Sequence, residues 1–378
     1  PDPAQPPTQL SPPLPLHAPT NHAMARTSVV HIRRAWYPVA LDAELRATPL
    51  RRVVLGRPLA IFRDHTGAPA ALLDRCPHRN VPLSLGDVQP DGTLACAYHG
   101  WRFAADGTCT EIPGLCSGHS PSARAATAFP TRLQDGIIWV WADHATPPDR
   151  DPLPMPLLHA PGYRTVTRRV EAPACMHATI ENALDVPHTA FLHRGLFRDG
   201  GRRRIDVEVR TTADRIEVDY RGESRPEGLV GKLLSPSGGL VEHTDRFIAP
   251  NLLQVEYRIG DENHILVTAA ACPIEDHRTA LFAVVSYRTR LPGALLEPVA
   301  VPLAMRIFNQ DVGVLQAQTD TVTRFGEERF QSTELDAVGP GMLAILRRLE
   351  RAERPDHNPD AATDAAPEPT TRAFVIEV

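Results

Sequence analysis

The sequence predicts an α+β protein of two domains, an all-β domain followed by a domain with a curved antiparallel sheet and helices. The first observation is that residues 29–142 contain many short apolar or alternating runs separated by turn residues, a pattern typical of short strands. The second is a crowd of prolines in residues 143–157, which predicts a linker because proline removes backbone donors and disfavours helix before it. The third is a series of long alternating runs and helical patterns within residues 158–352.

Short strands are predicted throughout the first domain, residues 26–142. Turn signals such as Asp91-Gly92 and Asp106-Gly107 separate the apolar runs. The preceding residues 1–25 are rich in proline and low in complexity, which predicts a disordered or extended segment. The predicted strands of this domain are 29–32, 52–55, 59–62, 70–73 and 137–141.

The second domain is predicted to combine a sheet with helices. Its alternating runs fit an antiparallel sheet whose two faces differ in polarity. Residues 353–378 are rich in Asp, Ala and Pro and predict a C-terminal tail, whose closing run 374–378 either pairs as a strand or stays loose. The predicted strands are 163–170, 203–209, 215–220, 252–259, 264–271 and 280–287, and the predicted helices are 176–193, 293–325 and 338–352.

Composition narrows the class of protein. Of the 378 residues, 42% are hydrophobic and 22% are charged, and the formal net charge is -5. No basic field therefore indicates nucleic acid as a partner. No apolar run is long enough to span a membrane, and no signal-peptide pattern is visible. Six cysteines are too few for a disulfide scaffold in a chain this long. We therefore expect a cytoplasmic protein.

The stretch 76–101 carries a metal-binding pattern. Cys76-Pro77-His78 is followed, after seventeen residues (79–95), by Cys96-Ala97-Tyr98-His99. Thiolates and imidazoles suit either a tetrahedral zinc or a [2Fe–2S] cluster in which two Cys hold one iron and two His hold the other. A zinc finger usually places both Cys on one arm and both His on the other. Here each arm supplies one Cys and one His, which favours the cluster.

This stretch resembles the cluster motif of Rieske proteins, C-x-H, a spacer and C-x-x-H. With the residues that follow, the chain resembles the oxygenase (α) component of Rieske non-heme iron oxygenases. The resemblance implies that a Rieske [2Fe–2S] cluster binds in the first domain. It also implies a helix-grip (START-like) catalytic domain with a mononuclear iron. The implied cluster ligands are Cys76, His78, Cys96 and His99.

A second polar constellation lies in residues 181–193, ENALDVPHTAFLH. His188 and His193 are five positions apart, which on an ideal helix leaves them about 140° out of alignment. They can converge only if the helix is distorted or breaks after Pro187. Two imidazoles and one carboxylate form the facial triad of non-heme Fe(II) sites, which leaves positions open for O2. The alternative is a pair of surface or capping histidines.

The resemblance covers this segment residue by residue. The family's pattern of Asn or Asp, then Asp, then His-x4-His matches Asn182, Asp185, His188 and His193. It implies that the two histidines bind the mononuclear iron, that Asp185 joins the two metal sites, and that Asn182 lies near the iron.

The third iron ligand is expected to be a distant carboxylate. Asp311 lies in an apolar stretch with helical pattern, where a lone Asp needs a partner or a metal. The family also brings a late helix back to the iron. Asp320 is the first alternative and Gln310 a weaker one. The alternative is that Asp311 has only a structural role, as a helix N-cap or as the ion-pair partner of Arg306.

The two sites together predict oxygen activation. A cluster that stores one electron and an Fe(II) site imply reductive use of O2 as co-substrate and oxidation of a small organic substrate. We find no G-x-G-x-x-G after a strand and no second ferredoxin-type motif. The electrons are therefore expected from a separate NAD(P)H-dependent reductase, either directly or through a ferredoxin. The resemblance implies a homotrimer in which His99 of one subunit faces Asp185 of the next.

The outcome of the reaction is predicted less narrowly. Similarity to the vanillate and dicamba demethylases and to pheophorbide oxygenase-like enzymes favours monohydroxylation or oxidative demethylation over cis-dihydroxylation or desaturation. Two other classes stay open: a Rieske electron-transfer protein with a non-catalytic binding domain, and a zinc-stabilised binding module. The substrate pocket is expected between helix 176–193 and the sheet. Its sheet wall is formed either by Leu253, Val255, Ile265 and Val267 or by their neighbours on the other face. The loop residues 195–198 and 235–239 belong to a lid or a surface loop.

Overall fold

In the computed structural model of the chain, the described residues are 27–115, 124–193, 204–222, 241–260, 263–289, 293–354 and 368–377. The predicted disordered segment 1–25, the loop residues 195–198 and 235–239, and Cys116 lie outside the described residues.

The first domain is built from three small antiparallel sheets, with strand orders β1-β11-β10, β2-β3-β4-β9 and β5-β6-β7-β8. Single-turn 3-10 helices occupy Asp42–Glu44 and Leu83–Leu85. The strands are β1 Trp36–Leu41, β2 Leu50–Val54, β3 Arg57–Arg63, β4 Pro69–Leu73, β5 Asp87–Val88, β6 Leu94–Ala95, β7 Arg102–Phe103, β8 Cys109–Glu111, β9 Ala128–Phe129, β10 Thr131–Gln134 and β11 Ile137–Trp141.

One predicted strand of this domain is absent. Residues 29–32 form no strand, although Val30 and Ile32 are buried in the core. The backbone N–H of His31 donates to the side chain of Glu350, and that of Arg33 donates to the side chain of Glu353. Side chains at the end of a distant helix, and not a neighbouring strand, therefore accept the hydrogen bonds of this backbone. The apolar alternation was therefore a signal of burial and not of sheet pairing.

The central strand β11 is buried on both faces. All five of its residues are buried, and Trp139 and Trp141 are among the largest fully buried side chains. Strand β1 beside it contacts the sheet of the second domain, and Asn251 donates its side-chain amide to the carbonyl of Trp36 at 3.0 Å. The first domain is thus docked on the second through its most apolar strand pair.

The second domain is organised by one eight-stranded antiparallel sheet, in the order β12-β18-β17-β16-β15-β14-β13-β19. The linker residues between β11 and β12 form no strand or helix. The strands are β12 Arg164–Ala172, β13 Arg204–Thr211, β14 Arg215–Arg221, β15 Val241–Ile248, β16 Leu252–Ile259, β17 Asn263–Glu275, β18 Arg278–Arg288 and β19 Thr370–Glu377.

Two of these strands go beyond the sequence prediction. Strand β15 (VEHTDRFI) was missed because His243 and Asp245 occupy buried positions and hide its apolar alternation. Strand β19 lies within the predicted tail and pairs with β13 along its whole length. Of the two predicted alternatives for the closing run, a paired strand or a loose segment, the structure shows the paired strand.

Helices pack on one face of this sheet. Helix α1 contacts strands β15 to β18 and helix α4, and the long helix α3 contacts α1 and β12. Gly341 of α4 approaches Ile216 of β14 so closely that an added Cβ would lie 2.9 Å from the isoleucine side chain. The helices are α1 Met176–Leu184, α2 Thr189–Leu192, α3 Gly293–Phe325 and α4 Gly339–Ala352.

The turn between β5 and β6 fixes the cluster-bearing sheet against the β3–β4 hairpin. Gly92 has φ +77°, and a Cβ there would lie 2.0 Å from the backbone nitrogen of His65. Gly67 has φ +83° but open space around its Cα. Both glycines relieve backbone strain, but only Gly92 also allows a close backbone approach.

We expect Gly92→Ala to lower the free energy of unfolding by about 2 kcal/mol or more beyond the loss in Gly67→Ala, since only the first adds a clash to the strain. Thermal unfolding of the two variants and the parent protein, followed by circular dichroism, measures the difference. Equal melting temperatures for the two variants would contradict the close-approach argument.

Candidate functional site: two metal centres

Two loops with the same backbone form carry the Cys and His residues of the first domain. In one, Asn80 N–H donates to the carbonyl of Cys76 at 2.9 Å, and in the other Gly100 N–H donates to the carbonyl of Cys96 at 3.0 Å. Each closing residue has positive φ, 63° for Asn80 and 70° for Gly100. Each cysteine N–H in turn donates to the residue after the turn, Val81 or Trp101, at 2.8 Å. The loops therefore present their ligands in matching ways.

The ligand atoms converge at the tip of the domain. Cys76 and Cys96 are buried in the core formed by Leu83, Leu94 and Phe103. The rings of His78 and His99 lie 4.7 Å apart between centroids, and Trp101 stacks on His78 at 4.6 Å. Nδ1 of His78 is buried without a hydrogen-bond partner, as expected of an atom that faces a metal.

The geometry does not fit a single zinc. Ligands of one tetrahedral zinc, at 2.0–2.3 Å from the ion, lie within about 4 Å of one another. Among the described residues, the ligand atoms of His188, His193 and Asp311 all lie within 4.8 Å of one another, and those of the Cys–His set do not. Two sulfurs and two imidazoles at a wider separation suit a two-iron cluster.

The Cys76 thiol needs a cation to ionise. Burial and the adjacent Cys96 raise its pKa, the backbone N–H of His78 lowers it, and together they bring it to about 11. A metal centre supplies the positive charge that makes such thiols thiolates. The donor set therefore fits a [2Fe–2S] cluster.

The second centre is formed by His188, His193 and Asp311. Nε2 of His188 lies 3.3 Å from Nε2 of His193. Oδ1 of Asp311 lies 3.5 Å from the first of these atoms and 3.1 Å from the second. Oδ1 of Asp311 is buried and accepts no hydrogen bond of good geometry. Three mutually facing donors of this kind fit a mononuclear Fe(II) with open positions.

A break in the helix brings the two histidines together. Helix α1 ends at Leu184, and Asp185 after it is extended, with ψ 105°. His188 then precedes the one-turn helix α2, and His193 follows it with ψ 38°, outside helical geometry. The distortion that the five-residue spacing required is therefore present, and it lies at Asp185 and at His193.

Each histidine is oriented by a side chain at its other nitrogen. Nδ1 of His193 lies 2.9 Å from Oε1 of Gln310, and Nδ1 of His188 lies 3.4 Å from Oδ2 of Asp185. A partner at Nδ1 directs Nε2 of the ring towards the position of a metal. Gln310, the weaker alternative ligand, is therefore placed as a positioning residue.

Charge at this centre favours a cation. Burial lowers the pKa of His188, but the carboxylates of Asp185 and Asp311 outweigh it and raise the pKa to about 9. Without a metal, the imidazole is protonated at neutral pH. A bound cation would take the place of that proton, because only neutral imidazole is a ligand.

Helix α3 delivers Asp311 to the histidines. Leu315 packs with Cys175 and Ala178 at the start of α1, and Thr319 donates to the carbonyl of Pro173 at 2.7 Å. Asp320 is exposed and accepts from Gln316 at 2.8 Å instead. The structure therefore brings Asp311, and not Asp320, to the two histidines.

Asn182 lies on α1, one turn before Asp185. Together with His188 these residues line a surface groove of about 1150 Å³ between α1, the C-terminal half of α3 and the segment before α4. Asn182 thus lines the same groove as His188 of the histidine centre.

The sheet face towards α1 follows from strand register. Leu253, Val255, Ile265 and Val267 lie on one face, since Val255 pairs with Val267 and Leu253 with Ala269. The next residue on that face, Tyr257, stacks on His243, which stacks on Tyr220. Tyr220 lines the groove beside His188, so this is the face nearer the histidine centre.

The sequence prediction missed the polar part of this face. His243 and Asp245 are buried, with Nε2 of the histidine 2.9 Å from Oδ1 of the aspartate. The available signal was that His243 and Asp245 stand at alternate positions of the eight-residue stretch 241–248. The pocket residues that the sequence analysis names are all apolar.

Sequence families match both halves of the chain. Residues 35–123 match the Rieske [2Fe-2S] domain, and residues 172–352 match the vanillate O-demethylase oxygenase C-terminal domain. No helix of the described chain is long and apolar enough to cross a membrane.

Individual relatives agree. Dicamba O-demethylase, oxygenase component, of Stenotrophomonas maltophilia is 36% identical over 47% of this chain and 52% of its own. Chloroacetanilide N-alkylformylase, oxygenase component, of Rhizorhabdus wittichii is 35% identical over 60% of this chain and 66% of its own. Dicamba monooxygenase bound to dicamba superposes with a TM-score of 0.74 at 25% identity, covering 86% of this chain and 99% of that one. The chain spans about half the length of the first curated relatives it matches.

The fold and the two centres define a two-domain protein of the Rieske type. The chain belongs to the Rieske non-heme iron oxygenases. The predicted class, α+β with a Rieske domain before a catalytic domain with a large antiparallel sheet, is confirmed. Other relatives are chloroplast proteins, so the cytoplasmic location stays a prediction.

We expect Asp311→Ala to lose the mononuclear iron and keep the cluster, lowering iron from about three to about two per chain with sulfide unchanged. Asp320→Ala removes the same charge nine positions later on the exposed side of α3 and should retain all iron. Iron and sulfide analysis with the visible spectrum measures both. Wild-type iron content in Asp311→Ala would exclude Asp311 as the third ligand.

Proposed function

We propose that this chain is the oxygenase component of a multicomponent system that uses O2 to oxidise a small organic substrate. The observation that carries the proposal is the meeting of His188 Nε2, His193 Nε2 and Asp311 Oδ1 in a chain that also has a Rieske domain. A non-catalytic Rieske protein would have no need of a second set of three converging ligands.

The residue roles follow from the two centres. Cys76 and Cys96 would hold one iron of the cluster, and His78 and His99 the other. The three ligands at the second centre would hold Fe(II). When bound, the cluster supplies single electrons and the Fe(II) site supplies activation of O2 for insertion into a C–H bond.

The chain's own residues prepare the second centre. Gln310 accepts from Nδ1 of His193, and the carboxylate of Asp185 faces Nδ1 of His188. The hydrogen bond to Gln310 fixes the ring of His193, while the Asp185 carboxylate lies beside His188 at ion-pair distance; in both rings Nε2 faces the shared position. Asp185 and Gln310 are therefore positioning residues, and Asn182 contributes to the surface beside them.

Asp185 is also proposed as the link to the cluster of a neighbouring subunit. It opens on the groove described above, which is both acidic and apolar. Burial raises the pKa of Glu181 there to about 7, with a further contribution from Asp185. The groove rim includes Phe325, 73% exposed, while the cluster tip exposes Tyr98 at 62%. An acidic, apolar groove suits a tip that offers an imidazole N–H and an aromatic ring.

This complementarity supports a homotrimer. In that arrangement His99 of one subunit donates a hydrogen bond to Asp185 of the next, which in turn faces His188. His99 is exposed in the single chain, as a residue that completes a contact with a second copy should be. The electrons would come from a separate NAD(P)H-dependent reductase, directly or through a ferredoxin.

The substrate is proposed to bind against the sheet face that carries Val255, Ile265 and Val267. These side chains are half-buried, and apolar pocket walls with a few polar groups are typical of small-molecule sites. Two of the similar proteins are named as an O-demethylase and an N-alkylformylase. We therefore favour oxidative demethylation or monohydroxylation.

Metal analysis and substrate-dependent oxygen use test the proposal. We expect about three irons and two sulfides per chain, and O2 consumption with formaldehyde release when methoxy-substituted aromatic acids are supplied with a surrogate reductase. A colourless zinc protein, or a protein with two irons that never consumes O2 with substrate, would contradict it. A cis-diol product would replace demethylation by ring dihydroxylation.

We expect Asp185→Asn to retain both metals but to slow oxidation of the reduced cluster by O2 and substrate by about 10- to 100-fold, because the link to His188 is weakened. Asp336→Asn removes a charge from the same groove and is the matched control. Stopped-flow absorbance of the cluster measures both rates. An unchanged rate in Asp185→Asn would reject the link.

A further inference from the structure

A second cavity lies between the two domains, away from both metal centres. Its volume is about 270 Å³, and its walls come from β1 and β2 of the first domain and from β12, β17 and β18 of the second. Four arginines line it, Arg51, Arg52, Arg169 and Arg278, against one carboxylate, Glu171. The cavity therefore carries an excess of positive charge.

The first-domain arginines are held by partners in their own domain. Nη2 of Arg52 donates to Glu44 at 2.7 Å and its Nε to the carbonyl of Val39 at 2.9 Å. Arg51 donates to the buried Asp74 at 3.2 Å. These contacts fix the two guanidinium groups in place without adding a carboxylate to the cavity lining.

The second-domain arginines share Glu171. Nη2 of Arg169 donates to Oε1 of Glu171 at 2.5 Å, while Nε of Arg278 lies 3.6 Å from Oε2, beyond hydrogen-bond distance. Nε of Arg169 and Nε of Arg278 are both buried and meet no hydrogen-bond acceptor among the described residues. Buried donors of this kind are normally paired, so an acceptor is missing from the protein's own contacts.

Cations of the two domains meet at this point. Burial lowers the pKa of Arg52, and the cation of Arg169 lowers it further, although Glu44 and Glu171 act in the opposite direction. The charged groups that face Arg52 thus come from both domains, and one carboxylate is shared by two cations. An anion between the guanidinium groups would supply the missing acceptor and reduce the repulsion.

We propose that this interdomain cavity is a binding site for a small oxyanion, a phosphate or a carboxylate, held by Arg169 and Arg278 and facing Arg52. Guanidinium groups bind both anions through paired N–H donors. The volume holds such an ion with a few waters, since each water occupies about 30 Å³. Phe282 lies at the apolar side of the cavity, with Arg169 over its ring at 5.8 Å. The bound ion joins the Rieske domain to the catalytic sheet.

Binding to the metal-loaded, full-length protein tests the site. The probes are inorganic phosphate and benzoate, each titrated calorimetrically at constant ionic strength in sodium chloride. We expect saturable binding of at least one of them, and a rise in melting temperature with its concentration, because a ligand that binds only the folded state stabilises it. Phosphate alone identifies an inorganic ligand, and tighter benzoate identifies an organic acid.

The variants separate this cavity from other anion sites. Arg169→Gln should weaken binding at least tenfold. Arg168→Gln makes the same charge change at the next position of β12, where the side chain is exposed and lies on the opposite face, and should bind as the parent does. Arg278→Gln, at a more exposed position, gives the same loss should Arg169→Gln fail to fold. Absence of binding by both probes, or equal binding by all variants, would overturn the proposal.

Discussion

The catalytic domain depends on holding two imidazole nitrogens and one carboxylate oxygen against one another at one point. Nε2 of His188 and of His193 and Oδ1 of Asp311 lie within hydrogen-bond or near-hydrogen-bond distance, yet the carboxylate oxygen is buried and unsatisfied. Leaving a buried polar atom unpaired costs about 1–3 kcal/mol. Such a cost is characteristic of functional sites, and a cation removes it. The break after α1, the anchoring of α3 on α1, and the contacts of Asp185 and Gln310 all serve this arrangement.

The cluster site meets a different constraint, which is to present four ligands around a centre larger than one ion. Matching loops achieve this, each with a cysteine whose N–H and carbonyl are tied into the same turn. The cysteines are buried and His99 is exposed. Sulfur is thus held in the core, and one of the two imidazoles lies at the surface.

The sequence was sufficient for the parts of the protein whose residues are close along the chain. The two arms of 76–101 and the pattern of 182–193 each carry their ligands within a few positions, so residue type and spacing predict them. Helices 293–325 and 339–352 were clear from periodicity. Strand β15 was not, because buried His243 and Asp245 break its apolar pattern, and residues 29–32 were mistaken for a strand because their apolar residues are buried without pairing.

What the sequence by itself determined is the chemistry: soft and imidazole ligands in mixed pairs, two histidines near an aspartate, and the short strands and helices that carry them. What only the tertiary structure decided is the choice among distant residues. Asp311 rather than Asp320 faces the histidines, Gln310 is a partner rather than a ligand, and arginines from two domains share one cavity. The physical reason is that these distances depend on how α3 packs on α1 and on how two sheets dock. Packing brings together residues that are far apart in the sequence, and their spacing along the chain does not predict the contact.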